Sequence, residues 1–265
     1  MPSTYTHYRF GCDVSENVSG SIRQIIRKHQ KEYDIGLHGP DLLFYYHPAL
    51  SNSVNRAADV CHDMTGHDFF LPAAETAVRS SHQDAAVAYL YGVVCHYALD
   101  SICHPYVETY IQTGNATHTE IETSFDRALL LRDHLDPMHH PLCGHIHPSH
   151  ASAELIAGFY PAAKPVHIYQ SMRSMIFYNR LLAVPQKAVR KVILSAMRLS
   201  SRYEEAKGLL LPDQQNPRTV ESDCSMYGLY QKAIRRAGDL LHQMEKHLSS
   251  GSGLGRAYDH TFGAL

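Results

Sequence analysis

The stretch CHYALDSICHPYVE, residues 95–108, decides how the rest of the chain is read. It lies in a run, 85–110, apolar enough to form a buried helix, yet it carries His96, Asp100 and His104 at four-residue intervals. Residues four apart on a helix share a face, one turn apart along the axis. The three side chains therefore form a stripe roughly 12 Å long. That is too long for all three to grip one ion, and it suits two adjacent ions with Asp100 between them. The run has nearly the length of a membrane span, but His96 and Asp100 fall deep inside it, where ionisable groups are costly in lipid. A core helix is expected, and no transmembrane segment.

Downstream, HTEIETSFD (118–126) places His118 and Glu122 at the same four-residue spacing, a second two-ligand clamp on a second helix. Imidazoles and carboxylates in this pattern suit zinc or a similar borderline divalent ion. Asp126, one turn further, reads either as a carboxylate orienting a ligand or as an exposed helix carboxylate. Two more stretches carry candidates. HGPDLLFYY (38–46) sets Asp41 after Gly39-Pro40, where it serves equally as a helix cap. DVCHDMTGHDFF (59–70) offers His62 and His67, which taken alone read as surface histidines.

Nearly every apolar segment has helical spacing, and no run alternates cleanly as a strand would. Helices are expected over 21–33, 53–69, 73–80, 83–112, 118–133, 151–158, 166–182, 186–207 and 222–249, with stops at Gly39-Pro40, Leu71-Pro72, Asp136-Pro137 and Leu211-Pro212. Pro105 is expected to kink or end the long helix near His104. Residues 134–150 form a His- and Pro-rich loop able to bind metal by composition alone, and 249–255 reads as a flexible turn. There is no repeat and no shift in composition. One all-α domain over 1–265 is expected, long enough to bury a core without staples.

Charge is nearly balanced, 24 Lys+Arg against 26 Asp+Glu, with no basic stripe. A stable nucleic-acid partner is not expected. Histidine is abundant at 20 residues and Trp is absent. The six cysteines show no C-x-x-C spacing, and the start, MPSTYTHYRFGCDV, has neither a basic nor an apolar leader region. A reduced, cytoplasmic protein is the simplest expectation. Oligomeric state is not legible.

Taken in order, THYRFG (6–11), GPDLLFYY (39–46), His62 seven residues before Phe69, GVVCHYALDSICHPYVE (92–108) and HTEIETSFD (118–126) resemble the zinc-dependent phospholipase C family, related to the trinuclear zinc nucleases. MYGLYQKAI (226–234) and the AYDHTFG tail share its look. The resemblance implies an all-α multi-helix fold with zinc ions at the bottom of a cleft. His62, His96 and Asp100 would hold one ion, with Asp41 beside it as ligand or base. His104, His118 and Glu122 would hold a second, and His7 with Asp100 as a bridge a third. It also implies hydrolysis of a phosphoric ester, a phospholipid or other small phosphodiester, by metal-activated hydroxide attacking phosphorus in line. In the secreted members a mature N-terminal Trp grips the third ion through its amine and carbonyl. This chain has none, so two or three ions are expected, with His67 or a histidine of 134–150 as substitutes.

Tyr45, Tyr46, Tyr89, Tyr91 and Tyr97 lie near the expected cleft, either to stack on a base or choline or to pack the core. Two other readings remain open at this point. One is an HD-type metal phosphohydrolase built on His62-Asp63, which would leave His118 and Glu122 dispensable. The other is a non-enzymatic helical protein stabilised by closed metal sites.

Overall fold

A computed structural model describes residues 4–18, 20–199 and 203–263. The α-helices are α1 (Thr4–Asn17), α2 (Gly20–Lys28), α3 (Gln30–Gly36), α4 (Ser53–Asp63), α5 (Gly66–Arg79), α6 (Gln83–Gln112), α7 (His118–Arg132), α8 (His150–Ala157), α9 (Pro165–Leu182), α10 (Lys187–Met197), α11 (Tyr203–Gly208) and α12 (Val220–Ser250). A 3-10 helix, Gly39–Tyr45, joins α3 to α4, and a shorter one, Arg256–Tyr258, follows α12. No strand forms among the described residues; one isolated bridge pairs Thr65 with Thr261. The class is all-α.

Helix α6 is apolar on every side over its first five turns, and such a helix has to be surrounded. Of its most apolar window 89% is buried within the protein. Helices α1, α2, α3, α5 and α12 pack against it, and buried apolar side chains from Tyr5 to Phe262 form one cluster around it. The closest crossing is made by glycines. A Cβ on Gly36 would lie 2.2 Å from the Tyr89 carbonyl oxygen, and one on Gly92 2.3 Å from that of Tyr33. Helices α3 and α6 thus meet backbone to backbone, which draws the 3-10 helix that follows α3 onto the middle of α6.

Helix boundaries follow local caps where these exist. The expected helix over 53–69 is two: it breaks at Met64 because the Thr65 hydroxyl accepts the Asp68 amide at 3.2 Å and starts α5. Asn52 caps α4 by accepting the amides of Val54 and Asn55. Thr117 and Glu120 form a reciprocal capping box on α7, which sets the register of His118 and Glu122. The segment 21–33 likewise divides into α2 and α3, and 186–207 into α10 and α11, with 200–202 outside the described residues.

Three expectations are corrected. Pro72 and Pro105 lie inside α5 and α6 without ending them, because packing along both helices outweighs a cost of about 3 kcal/mol per interior proline. Helix α1 is absent from the expected set, although His7, Phe10, Val14 and Val18 repeat at helical spacing and are buried; the threonines and histidine among them blur the apolar signal. The segment after α12 is tied down rather than flexible. Gly251 ends the helix at φ +67°, His247 Nδ1 donates to the Ser252 carbonyl at 2.7 Å, and Gln243 Oε1 accepts the Gly255 amide at 3.1 Å.

Asp34 on α3 is buried with only the Gln30 amide donating to it, at 2.7 Å, and it forms no ion pair among the described residues. Burial pushes its pKa from 3.8 up to about 6. A raised carboxyl pKa contributes stability that is fully present below pH 3.8 and is lost as pH rises through 6. Asp34→Asn should therefore be more stable than wild type by about 2–3 kcal/mol at pH 8. The gain should shrink towards zero as pH falls to 4, read by urea unfolding of both proteins across that range.

Candidate metal centre

Five separate pieces of the chain bring their side chains to one cleft. Helix α6 supplies His96, which is 0% exposed, Asp100 at 5%, and His104. His96 Nε2 lies 3.1 Å from Asp100 Oδ2, and His104 Nε2 3.7 Å from the same oxygen. From α1, His7 Nε2 reaches Asp100 Oδ1 at 3.3 Å, its ring stacked on that of His96 at 4.4 Å. The 3-10 helix supplies Asp41 and α4 supplies His62, with Nε2 to Oδ1 at 3.0 Å. On α7, His118 Nε2 and Glu122 Oε1 are 2.9 Å apart, and the His118 ring stands edge-on to His104 at 5.1 Å. All eight residues expected from the sequence are thus in one neighbourhood.

Their donor atoms converge in three sets, each within 4.8 Å: His7, His96 and Asp100; Asp41, His62 and His96; and His104, His118 and Glu122. The last matches the expected grouping. The first keeps the expected pair of His7 and Asp100 and adds His96, and the second differs in that Asp41 rather than Asp100 completes the group of His62 and His96. The reason is the position of the 3-10 helix. Gly39 adopts φ +44°, and a Cβ there would lie 2.7 Å from His96 Cδ2, so only glycine lets Asp41 approach that ring.

The chemistry of this set fits a borderline divalent cation such as zinc. Among the described residues, both ring nitrogens of buried His96 lack a hydrogen bond, as do His7 Nδ1 and Asp41 Oδ1. Leaving such groups without a partner is costly. His62 Nδ1 meets the Ala58 carbonyl at 2.8 Å. A carbonyl only accepts, so Nδ1 carries a proton and Nε2 is the nitrogen turned to the cleft beside Asp41, the usual orientation of a metal-binding imidazole. No thiol takes part; N and O donors of this mixture suit zinc. The carboxylates are kept ionised. Burial works against it at Asp100, but His96, His104 and His7 hold its pKa well below the ordinary value. At Glu122 burial is likewise outweighed, by His118 first among the side chains, and the pKa falls to about 2. Asp41 is lowered too, against burial, with His62 and His96 beside it.

Asp126 is buried, not solvent-exposed, and reaches the cleft only by way of a helix. Its carboxylate accepts the amides of Tyr5 at 3.2 Å and Thr6 at 2.7 Å and the Thr6 hydroxyl at 2.6 Å. These are orphan donors of the first turn of α1, so a residue on α7 caps the helix that carries His7. Tyr5 Oη and Arg9 Nε also donate to Asp133, at 2.7 and 2.8 Å.

The cleft holds about 240 Å³ and is lined as well by Phe44, Asp63 and Gly263. Gly263 comes from the tail, which closes one wall. Phe262 is fully buried against His62, His96 and Phe69, and Tyr97 Oη donates to the carbonyls of Ala257 and His260. The AYDHTFG resemblance was the only sequence signal for this wall; Phe44 and Gly263 carried none as cleft residues.

Other candidates lie elsewhere. His67 pairs with Asp259 at 3.1 Å. In the 134–150 loop, His139 bonds Asp136, and His145 stacks on Tyr8 and meets His38, Nε2 to Nε2, at 2.7 Å. None of these lines the cleft, and the expectation that one substitutes at the third site is not met. Tyr89, Tyr91 and Tyr97 are buried in the core, Tyr45 accepts from Asn179, and Tyr46 packs on His47 and His167. Residues 1–3, and the terminal amine with them, lie outside the described residues.

The family described as zinc dependent phospholipase C matches residues 6–182, about two thirds of the chain and every residue of the three donor sets. The protein belongs to that family. No curated protein and no solved structure shows a significant match to the chain.

Because the Cβ of Gly39→Ala would collide with His96 in a left-handed backbone, that variant should bind at least one equivalent of zinc less than wild type while keeping its helical circular dichroism. Elemental analysis of dialysed protein reads the difference.

Proposed function

We propose that the cleft is the active site of a zinc-dependent phospholipase that hydrolyses a phosphodiester bond of a glycerophospholipid. The observation that carries this is the convergence of three donor sets on one open cleft rather than on a closed, four-ligand site. Its volume has room for a phosphoryl group and its ester oxygens, while the rest of a lipid would lie outside. A low overall charge fits, since no basic cluster is needed where cations neutralise the phosphoryl oxygens.

In this reading His62 and His96 would hold one ion, with Asp41 beside it, and His104, His118 and Glu122 would hold a second. His7 holds a third, with Asp100 as a bridge between sites. Zinc held there supplies Lewis acidity, lowering the pKa of water and drawing charge from phosphoryl oxygens. Asp41, ionised at neutral pH, orients the attacking water and accepts its proton. Asp126 keeps His7 in place through α1, and Phe44 and Phe262 keep that side of the cleft dry. The use of His118 and Glu122 disfavours the HD-type reading, and the opening disfavours a purely structural role. The cytoplasmic setting expected from the sequence belongs to the same proposal.

The test is elemental analysis together with turnover of a short-chain phosphatidylcholine below its micelle concentration. Wild type should carry two or three zinc per chain, and Asp100→Ala should lose at least one. Asp41→Asn should lower kcat by about 10²–10⁴-fold and keep its zinc; loss of an ion in that variant would make Asp41 a ligand alone. Zinc-loaded wild type that leaves every phosphodiester intact would sink the enzymatic reading.

A further inference from the structure

Helix α10, Lys187–Met197, buries none of its residues. A helix of this length in a globular protein normally turns an apolar face to the core. At 100° per residue, Ala188, Val189, Val192, Ile193, Ala196 and Met197 fall on one half of α10, and Lys187, Lys191, Ser195 and Arg198 on the other. The halves are not arranged as core and solvent. Arg190 donates to the carbonyls of Val184 at 3.3 Å and Leu211 at 2.9 Å, which holds the helix by one edge, with Ile193, Leu194 and Met197 half-covered beside it. Val189 and Val192 are left 42% and 69% exposed, and Leu199 just beyond the helix 91%. Lys187, Lys191 and Arg198 are exposed too and form no ion pair among the described residues. A cationic and apolar surface therefore stands free on a chain whose net charge is −2.

Its location is also defined. Helix α10 packs on α11, and α11 is bolted to the first turn of α7. Thr119 Oγ1 donates to the Glu205 carbonyl at 2.8 Å, Thr123 Oγ1 donates to that of Gly208 at 2.9 Å, and a Cβ on Gly208 would strike Thr119. Thr119 follows His118, so the arm is anchored beside one flank of the metal cleft. It lies past residue 182, where the family match ends.

We propose that α10 is an interfacial helix that docks the protein on an anionic lipid surface, with Lys187, Lys191 and Arg198 on the headgroups and Val189, Val192 and Leu199 among the acyl chains just beneath. Charge complementarity selects the occupant. The cations call for an anionic surface, and the valines beside them call for an apolar layer a few ångströms deeper, which nucleic acid does not offer. The role in presenting substrate rests on the phospholipase reading above; the docking itself does not.

The zinc-loaded full chain is sedimented with vesicles of phosphatidylcholine alone and of phosphatidylcholine with 30% phosphatidylserine, in low and high salt. In parallel, turnover of the soluble short-chain lipid is measured. Wild type should pellet with the anionic vesicles, less so in high salt, and only weakly with the neutral ones. Lys187→Glu/Lys191→Glu/Arg198→Glu should weaken that binding by about 100-fold or more, at about fivefold for each cation lost. Val189→Asp/Val192→Asp should weaken it as well, and both variants should keep wild-type turnover of the soluble lipid. Binding without any turnover supports the docking helix while the phospholipase reading fails. Turnover without binding to anionic vesicles overturns the docking helix alone. Equal pelleting with neutral vesicles, or unchanged binding by the triple variant, also overturns it. So does a dimer in sedimentation velocity that Val189→Asp/Val192→Asp dissociates, since a second copy would then cover this face.

Discussion

A carboxylate at the centre of the most apolar helix in the protein sets the terms for everything around it. Asp100 is 5% exposed, and an ionised carboxylate taken out of water is unfavourable by several kcal/mol unless charge and hydrogen bonds are returned to it. Three imidazoles from two helices surround it, at 3.1, 3.3 and 3.7 Å. A buried carboxylate among imidazoles with free lone pairs is balanced by a cation, and the donor sets on either side extend the same arrangement to Asp41 and Glu122. The core of α6 is therefore organised around positive charge held between these side chains, from the imidazoles or from a cation bound among them.

Holding these donors in place falls to contacts outside the cleft. Asp126 caps α1 from α7, Gly36 and Gly92 let α3 lie directly on α6, and Gly39 turns the chain so that Asp41 meets His96. Phe262 then seals the side that the helices leave open. Each device acts on the backbone of an element that carries a ligand, so a change several residues from the cleft displaces a donor atom inside it. This explains why glycines and a helix cap, rather than further charged groups, accompany the ligands in the sequence.

The polar cleft and the exposed helix α10 stand in a related balance. The cleft is small and lined by charged side chains, with Phe44 as its apolar wall. It addresses the polar part of a lipid and offers nothing to the acyl chains. The apolar contact a lipid requires is found instead on the flank, at Val189 and Val192.

Four-residue spacing on α6 and α7 was enough to place His96, Asp100, His104, His118 and Glu122 on two faces, because helical periodicity is a local property and both segments are strongly helical. The helical class was legible for the same reason, and the long unbroken apolar run ahead of Pro105 marked α6 as a buried helix. The rest of the neighbourhood was reachable only through resemblance to a family: His7, Asp41 and His62 lie on elements whose meeting depends on contacts distant in sequence, from Asp41 with His62 to Thr6 with Asp126. That Asp41 rather than Asp100 completes the group of His62 and His96 was decided by tertiary structure alone, through a positive φ at Gly39 and its clearance from His96. So was the tail's place in the wall and the continuation of α5 and α6 through their prolines. Burial in the assembled core outweighs local preference there, and no window of sequence contains that term.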